Sequence, residues 1–300
     1  MTTEKIDSIQ KAIDIAIRDH ENLKEISGYE IDGRVYNNYM SNEAFEEELR
    51  EMKPEIRKQF DNAPGGELKE KPGRYGVYPP KMASFGSSSR FICNKLKDVK
   101  GISFEAALPT DVGHSANLDA RKTDDEASLE IFAEAKCHEI YGSHRIVEVS
   151  EVYLPVFHKL QEFFTYAAEK SKKGCVKCSF KVKEQEILHF DLKQLICHFL
   201  GITAGLLKGA IKSKKICFVY LIFNPHYIRD RICDKYRKKI LDQYDKTIEE
   251  INLFDMEKLF EAIFEYQRSQ NKDISHNDEG DIPEFEFFVA DQDNGSRYFE

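Results

Sequence analysis

Isoleucines at positions 6, 9, 13 and 17 recur at helical spacing, so the chain opens with a predicted helix over Thr3–Glu25. Ile26–Tyr39, carrying Gly28 and Gly33, reads as turns. Phe45, Leu49, Met52 and Ile56 form one stripe of a second helix over Glu43–Phe60, with Pro54 as a kink or boundary. A Gly/Pro-rich loop over Asn62–Pro80 leads to a third helix, Ala83–Leu96, and a strand, Ile102–Leu108. Gly113–Cys137 then holds two apolar-rich runs, one ending at Asp119 and the other covering Leu129–Cys137, which read as a hairpin continued through Ile146–Val149.

Beyond the hairpin, Val152–Ser171 reads as a long helix with Val156, Leu160, Phe163 and Phe164 inward. Asp191 is placed to cap a helix over Leu192–Leu207, interrupted near Gly201 and Gly205. Lys215–Phe223 is β-branched and aromatic with almost no polar residue, as a central strand buried on both faces requires. Helices over Tyr227–Ile251 and Met256–Gln270, a polar linker over Asn271–Asp281, and a late strand over Ile282–Ala290 before an acidic tail complete the pattern. No internal repeat is visible. Strands bracketed by helices predict one α/β domain over residues 1–300, its core at 65–225. A helical region at 1–62 and a helical, acidic region at 226–300 flank that core.

Candidate chemistry sits in the hairpin. Alternation puts Phe132, Glu134 and Lys136 on one strand face and Ile131, Ala133, Ala135 and Cys137 on the other. With Asp119 nearby, two carboxylates and an ammonium converge at the end of a small sheet, a setting that suits a hard divalent cation. An acid-x-Lys triplet alone is cheap, since it also starts at Glu51, Glu67, Asp98 and Asp191, about as often as chance gives. Only Glu134 lies in a strand-like apolar run preceded by a run ending in aspartate.

At these residues the chain resembles the PD-(D/E)XK nucleases, the restriction-endonuclease-like phosphodiesterases, and within them a bacterial restriction-endonuclease branch. Asp119 matches the first acid, Glu134 the second and Lys136 the lysine; Leu118 stands where the family has proline. The flanking GGELKEKPGRYGVYPPKMASFGSSSRFICN, FDLKQLICHFLGI and ICFVYLIFNP segments carry the likeness across roughly Gly65–Pro225. The resemblance implies a central mixed β-sheet flanked by helices, with helical N- and C-terminal additions. It also implies Mg²⁺ as cofactor, with Mn²⁺ able to substitute, and double-stranded DNA as partner. Asp119 and Glu134 would hold the ion, joined by Glu105 or by Glu67, each an acid in an otherwise uncharged or glycine-rich setting. Lys136 would stabilise charge developing on the phosphate, and Gln194 matches a glutamine that orients water or phosphate in such enzymes.

Charge adds to this picture. The net charge is −9, yet residues 1–70 hold −7 and 273–300 hold −8, leaving 71–272 at +6. Within that segment lie Lys170–Lys183, Lys208–Lys215 and Arg229–Lys246, candidate phosphate-contacting clusters in which Lys172, Lys173, Lys212, Lys214 and Lys215 stand out. Seven scattered cysteines suit a reducing cytoplasm, and Cys175/Cys178 is half of a zinc spacing with no second half. No N-terminal apolar segment and no span-length run points to a membrane. His114, His138 and His198 receive no role. The expectation is a Mg²⁺-dependent DNA endonuclease resembling a type II restriction enzyme, with a homodimer compatible. The alternatives are a repair or recombination nuclease of the same fold, a non-catalytic nucleic-acid-binding module, and an unrelated interaction protein.

Overall fold

The computed structural model describes residues 8–20, 27–63, 66–73, 76–137, 139–142, 146–228, 234–271 and 282–299. Its centre is a five-stranded mixed sheet. Three of the strands read from sequence form one side of it: β5 (Ile102–Pro109), β6 (Ser115–Asp124) and β7 (Leu129–Lys136), each antiparallel to its neighbour. β12 (Lys215–Ile222) pairs parallel with β7, and β13 (Glu284–Ala290) pairs parallel with β12, giving the order β13-β12-β7-β6-β5. A strand flanked on both edges and covered on both faces must be apolar throughout, and β12 is buried from Ile216 to Ile222. β13 therefore carries the core past residue 225 and into the C-terminal region.

Helices cover both faces. On one, α6 (Leu192–Leu207) and α8 (Met256–Gln270) interlock with the sheet through Phe199, Phe218, Phe260 and Phe285, whose rings meet in stacked and edge-on pairs. Asp191 caps α6 by accepting from Gln194 N at 3.0 Å, as expected. The helix is continuous through Gly201, where an interruption was expected. A Cβ at Gly201 would meet that of Ala116 at 2.6 Å, so the glycine lets the helix lie close on β5 and β6. On the other face α4 (Ser88–Leu96) packs on β6 and β7, with Ser87 as its cap.

Several elements depart from the expectations. The first helix is described as α1 over Ile9–His20, preceded by Ser8, which accepts from Lys11 N, and residues 3–7 and 21–25 lie outside the described residues. Where turns were expected, residues 27–40 form a hairpin of β1 (Ser27–Ile31) and β2 (Arg34–Met40), turning at Asp32-Gly33 with both residues at positive φ. Pro54 divides the second helix into α2 (Asn42–Glu51) and α3 (Pro54–Asn62), where it occupies the first helical position. The Asn62–Pro80 loop contains a short hairpin of β3 (Lys71–Gly73) and β4 (Gly76–Tyr78).

The largest correction falls on Val152–Ser171. Only α5 (Leu154–Lys159) is α-helical there, and Thr165–Lys172 is strand β9. It pairs with β10 (Cys175–Val182) in a second sheet that also holds β8 (Val147–Ser150) and β11 (Gln185–Glu186). Ile146–Val149 thus contributes to this sheet rather than extending the central hairpin. The apolar residues at 156, 160, 163 and 164 mimic a helical stripe, but Phe164 instead turns its ring edge-on to Phe180 across the accessory sheet's inner face.

Further on, α7 is described over Asp234–Ile251, with residues 229–233 and the linker 272–281 outside the described residues. The acidic tail docks. Phe299 is buried in the core, and its carbonyl accepts from Lys122 Nζ. Among the described residues no helix is long and apolar enough to cross a membrane.

Candidate active site

Strand register gathers the acids. Phe104–Ala120 and Ala106–Leu118 pair on either side of Glu105 and Asp119, so these two carboxylates oppose each other across β5 and β6. One step beyond the last β6–β7 pair, Ala120–Ala133, Asp119 comes level with Glu134, and Glu134 is paired with Tyr220 of β12. Glu105, Asp119, Glu134 and Tyr220 thus form one transverse row over four adjacent strands. Asp119 lies inside β6, not at its end, and accepts from Ala135 N at 2.7 Å. Glu105 sits at φ 54°, a left-handed conformation that costs a non-glycine residue about 1 kcal/mol or more. That bend occurs within an otherwise regular strand, at one of the acids.

Glu134 is buried, and so is Lys136 on the same face of β7. Lys136 Nζ donates to Glu134 Oε1 at 2.7 Å and to Gln194 Oε1 at 2.6 Å, and Gln194 Nε2 donates to the same Glu134 oxygen at 2.7 Å. Helix α6 supplies Gln194 from its first turn and His198 one turn on. His198 Nε2 lies 3.0 Å from Glu134 Oε2, but the two are not aligned as a hydrogen bond, and neither atom has another partner among the described residues. Burial alone would raise the Glu134 pKa; Lys136 and then His198 outweigh it and hold the carboxyl down at about 2. Burial also opposes the charge on Lys136, yet Glu134 outweighs that and keeps the ammonium protonated well above its ordinary range.

The neighbouring acids behave oppositely. Burial first, and then the Glu134 charge, push Asp119 well above the ordinary carboxylate range. Burial and the Glu67 carboxylate raise Glu105 to about 7. Ser89 Oγ lies 2.9 Å from Glu105 Oε1 and 3.3 Å from Glu67 Oε2, while Lys81 donates to Glu67 Oε1 at 2.8 Å. Glu67 therefore meets Glu105 through a serine on α4 and has its own lysine.

The sequence-based site is brought together in part. Glu134, Lys136 and Gln194 are in direct contact, Asp119 and Glu105 stand next along the row within reach of the Glu134 charge, and Glu67 meets Glu105 through Ser89. Lys172 and Lys173 lie far along the accessory hairpin, at and just past the end of β9. Lys215 is level with Leu129, at the end of β7 remote from Glu134, and Lys212 and Lys214 precede it. Cys175 and Cys178 sit three residues apart on β10, so their thiols face opposite sides and cannot share an ion. Cys178 is buried in the core. His114 stacks on Tyr153, and His138 lies outside the described residues.

Three participants were missed. His198 and Tyr220 carry a signal only in register and helical spacing: Tyr220 pairs with Glu134, and His198 follows Gln194 by four positions. Glu250 of α7 accepts from the backbone N–H of Leu188, His189 and Phe190 at 3.0, 2.8 and 2.8 Å, fixing the segment that delivers α6 and Gln194. No local sequence pattern marks it.

Among the described residues no three His, Cys, Asp or Glu side chains stand close enough to hold a metal ion together. The donor chemistry fits a hard cation all the same. The site offers carboxylate oxygens, one of them buried without an aligned hydrogen bond, beside two carboxyls in which burial and like charge disfavour the ionised form. A dication would relieve both conditions. Comparison with protein-family models, with curated proteins and with solved structures finds no match.

Proposed function

We propose that this protein is a Mg²⁺-dependent endonuclease of double-stranded DNA built on a restriction-endonuclease-like sheet. The observation that carries the reading is the transverse row of Glu105, Asp119 and Glu134, with Lys136 two residues beyond Glu134 on the same strand face. Asp119 and Glu134 would hold the ion, and Glu105, now bonded to Ser89 beside Glu67, would complete the set by turning its side chain towards them. Bound there, Mg²⁺ would polarise the scissile phosphate and lower the pKa of the attacking water; Mn²⁺ could take its place. Lys136 uses two of its three donors on Glu134 and Gln194, leaving one for a phosphate oxygen on which negative charge develops. Gln194 fixes the ammonium and is thereby a positioning residue. A repair or recombination nuclease would use the same chemistry and differs only in the DNA it cuts.

One observation favours a second reading, a non-catalytic DNA-binding module: Lys136 and Gln194 already occupy Glu134 Oε1. Supercoiled plasmid incubated with Mg²⁺, Mn²⁺ or EDTA separates the two. Metal-dependent nicking and linearisation, lost in Asp119→Ala and in Glu134→Gln, supports the nuclease. Plasmid binding with no cleavage under any metal overturns it. Discrete fragments from a long substrate would mark a sequence-specific restriction enzyme, and a smear would mark a repair-type activity.

A further inference from the structure

The chain leaves the central sheet at Lys136 and comes back against its face with α6, whose first turn carries Gln194; the side chains of these two residues meet at 2.6 Å. Whatever is built between them is therefore rooted at the acid end of the sheet. The excursion contains α5 and the accessory sheet β8–β11. Phe157, Phe164 and Phe180 form an aromatic cluster joining that sheet to α5. Tyr153, just before α5, meets Cys197 of α6 at 3.3 Å, and Lys193 Nζ lies 5.8 Å from the Tyr153 ring centre. The accessory sheet is thus braced against the helix that carries Gln194 and His198.

Its outer strand is unusual. β9 pairs only with β10 and is exposed along almost its whole length. Lys170, Lys172, Lys173, Lys177 and Lys183 of the hairpin are exposed. Acids also border them: Glu148 pairs with Lys172 at 2.5 Å and, with Glu169, flanks Lys177, Glu151 lies beside the turn at Gly174, and Glu184 and Glu186 adjoin Lys183 and Lys181, yet Lys170 and Lys173 at the outer strand and turn stand opposite no acid. The other exposed residues of β9 are small, Thr165, Ala167, Ala168 and Ser171. No exposed aromatic ring is present on β9 to stack on unpaired bases, and no large apolar residue to enter a lipid surface. From Thr165 to Lys172 the strand is about 23 Å long, enough to follow the backbone of about seven base pairs.

The other basic segment differs in place and in pairing. Lys215 is level with Leu129 and Tyr220 with Glu134, so Lys215 lies about 17 Å along the strands from the acid row. Lys215 is held by Glu284 and Glu286, and Lys208 by Asp111.

We propose that the β9–β10 hairpin is the surface along which duplex DNA approaches the acid row, and that Lys208–Lys215 takes no part. This rests on the nuclease reading for its choice of partner. The test is duplex binding by fluorescence anisotropy across a salt series, with Ca²⁺ replacing Mg²⁺, for wild type, Lys170→Ala/Lys173→Ala/Lys177→Ala and Lys212→Ala/Lys214→Ala. The hairpin variant should bind more weakly, with its log–log salt slope flatter by about 2 to 3, since each lost phosphate contact removes about 0.9. The Lys212/Lys214 variant should match wild type. A hairpin variant with an unchanged slope, or an equal change in the Lys212/Lys214 variant, overturns the proposal, as does a wild-type protein that binds no duplex. The plasmid assay keeps the two readings apart: cleavage with an unchanged hairpin slope sinks only this surface, and hairpin-dependent binding without cleavage upholds the surface and sinks the nuclease.

Discussion

Glu130 and Glu134 lie four residues apart on the same face of β7, and both are buried. Their surroundings separate them. Both oxygens of Glu130 are used: Arg121 and Thr123 from β6 donate to Oε1, and Ser213 donates to Oε2 at 3.2 Å. Glu134 has one oxygen crowded by Lys136 and Gln194 and the other facing His198 without an aligned bond. Around Glu130 the neighbours are donors to both oxygens, whereas Glu134 has donors on one oxygen only and the carboxyl of Asp119 level with it across the strands. A buried carboxylate that is fully satisfied holds structure together, and on the proposed reading one with an oxygen left without an aligned partner and another carboxyl beside it is where a cation would bind.

The sharpest way to break this contrast is to remove charge at the acid row. Asp119→Ala and Glu134→Gln should each lower metal-dependent plasmid cleavage at least about a thousandfold, because each removes a ligand on which the polarised phosphate depends. Glutamine suits position 134 better than alanine, since alanine would strand the buried Lys136. Retained cleavage by either variant removes the assignment. Glu130→Ala should act in the opposite way. It should cost about 3 kcal/mol in urea unfolding by leaving Arg121 unpaired, while the folded fraction cleaves at the wild-type rate. A cleavage defect greater than the loss of folded protein would erase the distinction between the two glutamates.

Lys136→Ala should keep duplex affinity and lose about a hundredfold to a thousandfold in turnover, the usual cost of deleting one donor to a developing charge. Single-turnover rates beside anisotropy measure this, and a loss confined to affinity would make Lys136 a binding residue only. The smallest effect concerns Glu105. A carboxyl raised to about 7 in the folded chain binds its proton more tightly than in the unfolded chain, so its share of stability is present at low pH. That share is lost as pH climbs from the ordinary carboxylate range through about 7. In EDTA, wild type should lose up to about 3 kcal/mol between pH 5 and pH 8 relative to Glu105→Gln. Thermal melts of the two proteins at both pH values provide the check, and parallel pH profiles would show that Glu105 is not held protonated.

Much of this was legible in the chain because it depends on period and short range. Alternation placed Glu134 with Lys136, the apolar run at Lys215–Phe223 announced β12, and Asp191 marked the start of α6. Met256–Gln270 emerged with its expected bounds. The misses share a cause of another kind. Val152–Ser171 carried helical spacing by accident, and only the partner β10 and the aromatic cluster around Phe157 decide that Thr165–Lys172 is a strand. Tyr220 and Glu250 reach the site through register and packing between segments far apart in sequence, which no local window contains, while His198 shows only as the residue one helical turn after Gln194. Lysine clusters could be counted from sequence, but the placing of one on the accessory hairpin and another at the end of the central sheet remote from Glu134 could not.

The pairing of β12 with β13 has a bearing on how the molecule is made. Lys215 pairs with Glu284, and the partner strand is synthesised some seventy residues later, after both α7 and α8. Until then one edge of the most apolar strand in the protein has no neighbour, and such an edge invites pairing with another chain. Loss of the segment from Asp273 onward would therefore remove more than acidic charge. It would leave Ile216–Ile222 uncapped on the nascent or truncated chain, and aggregation during expression, rather than looser DNA binding, is the outcome to expect.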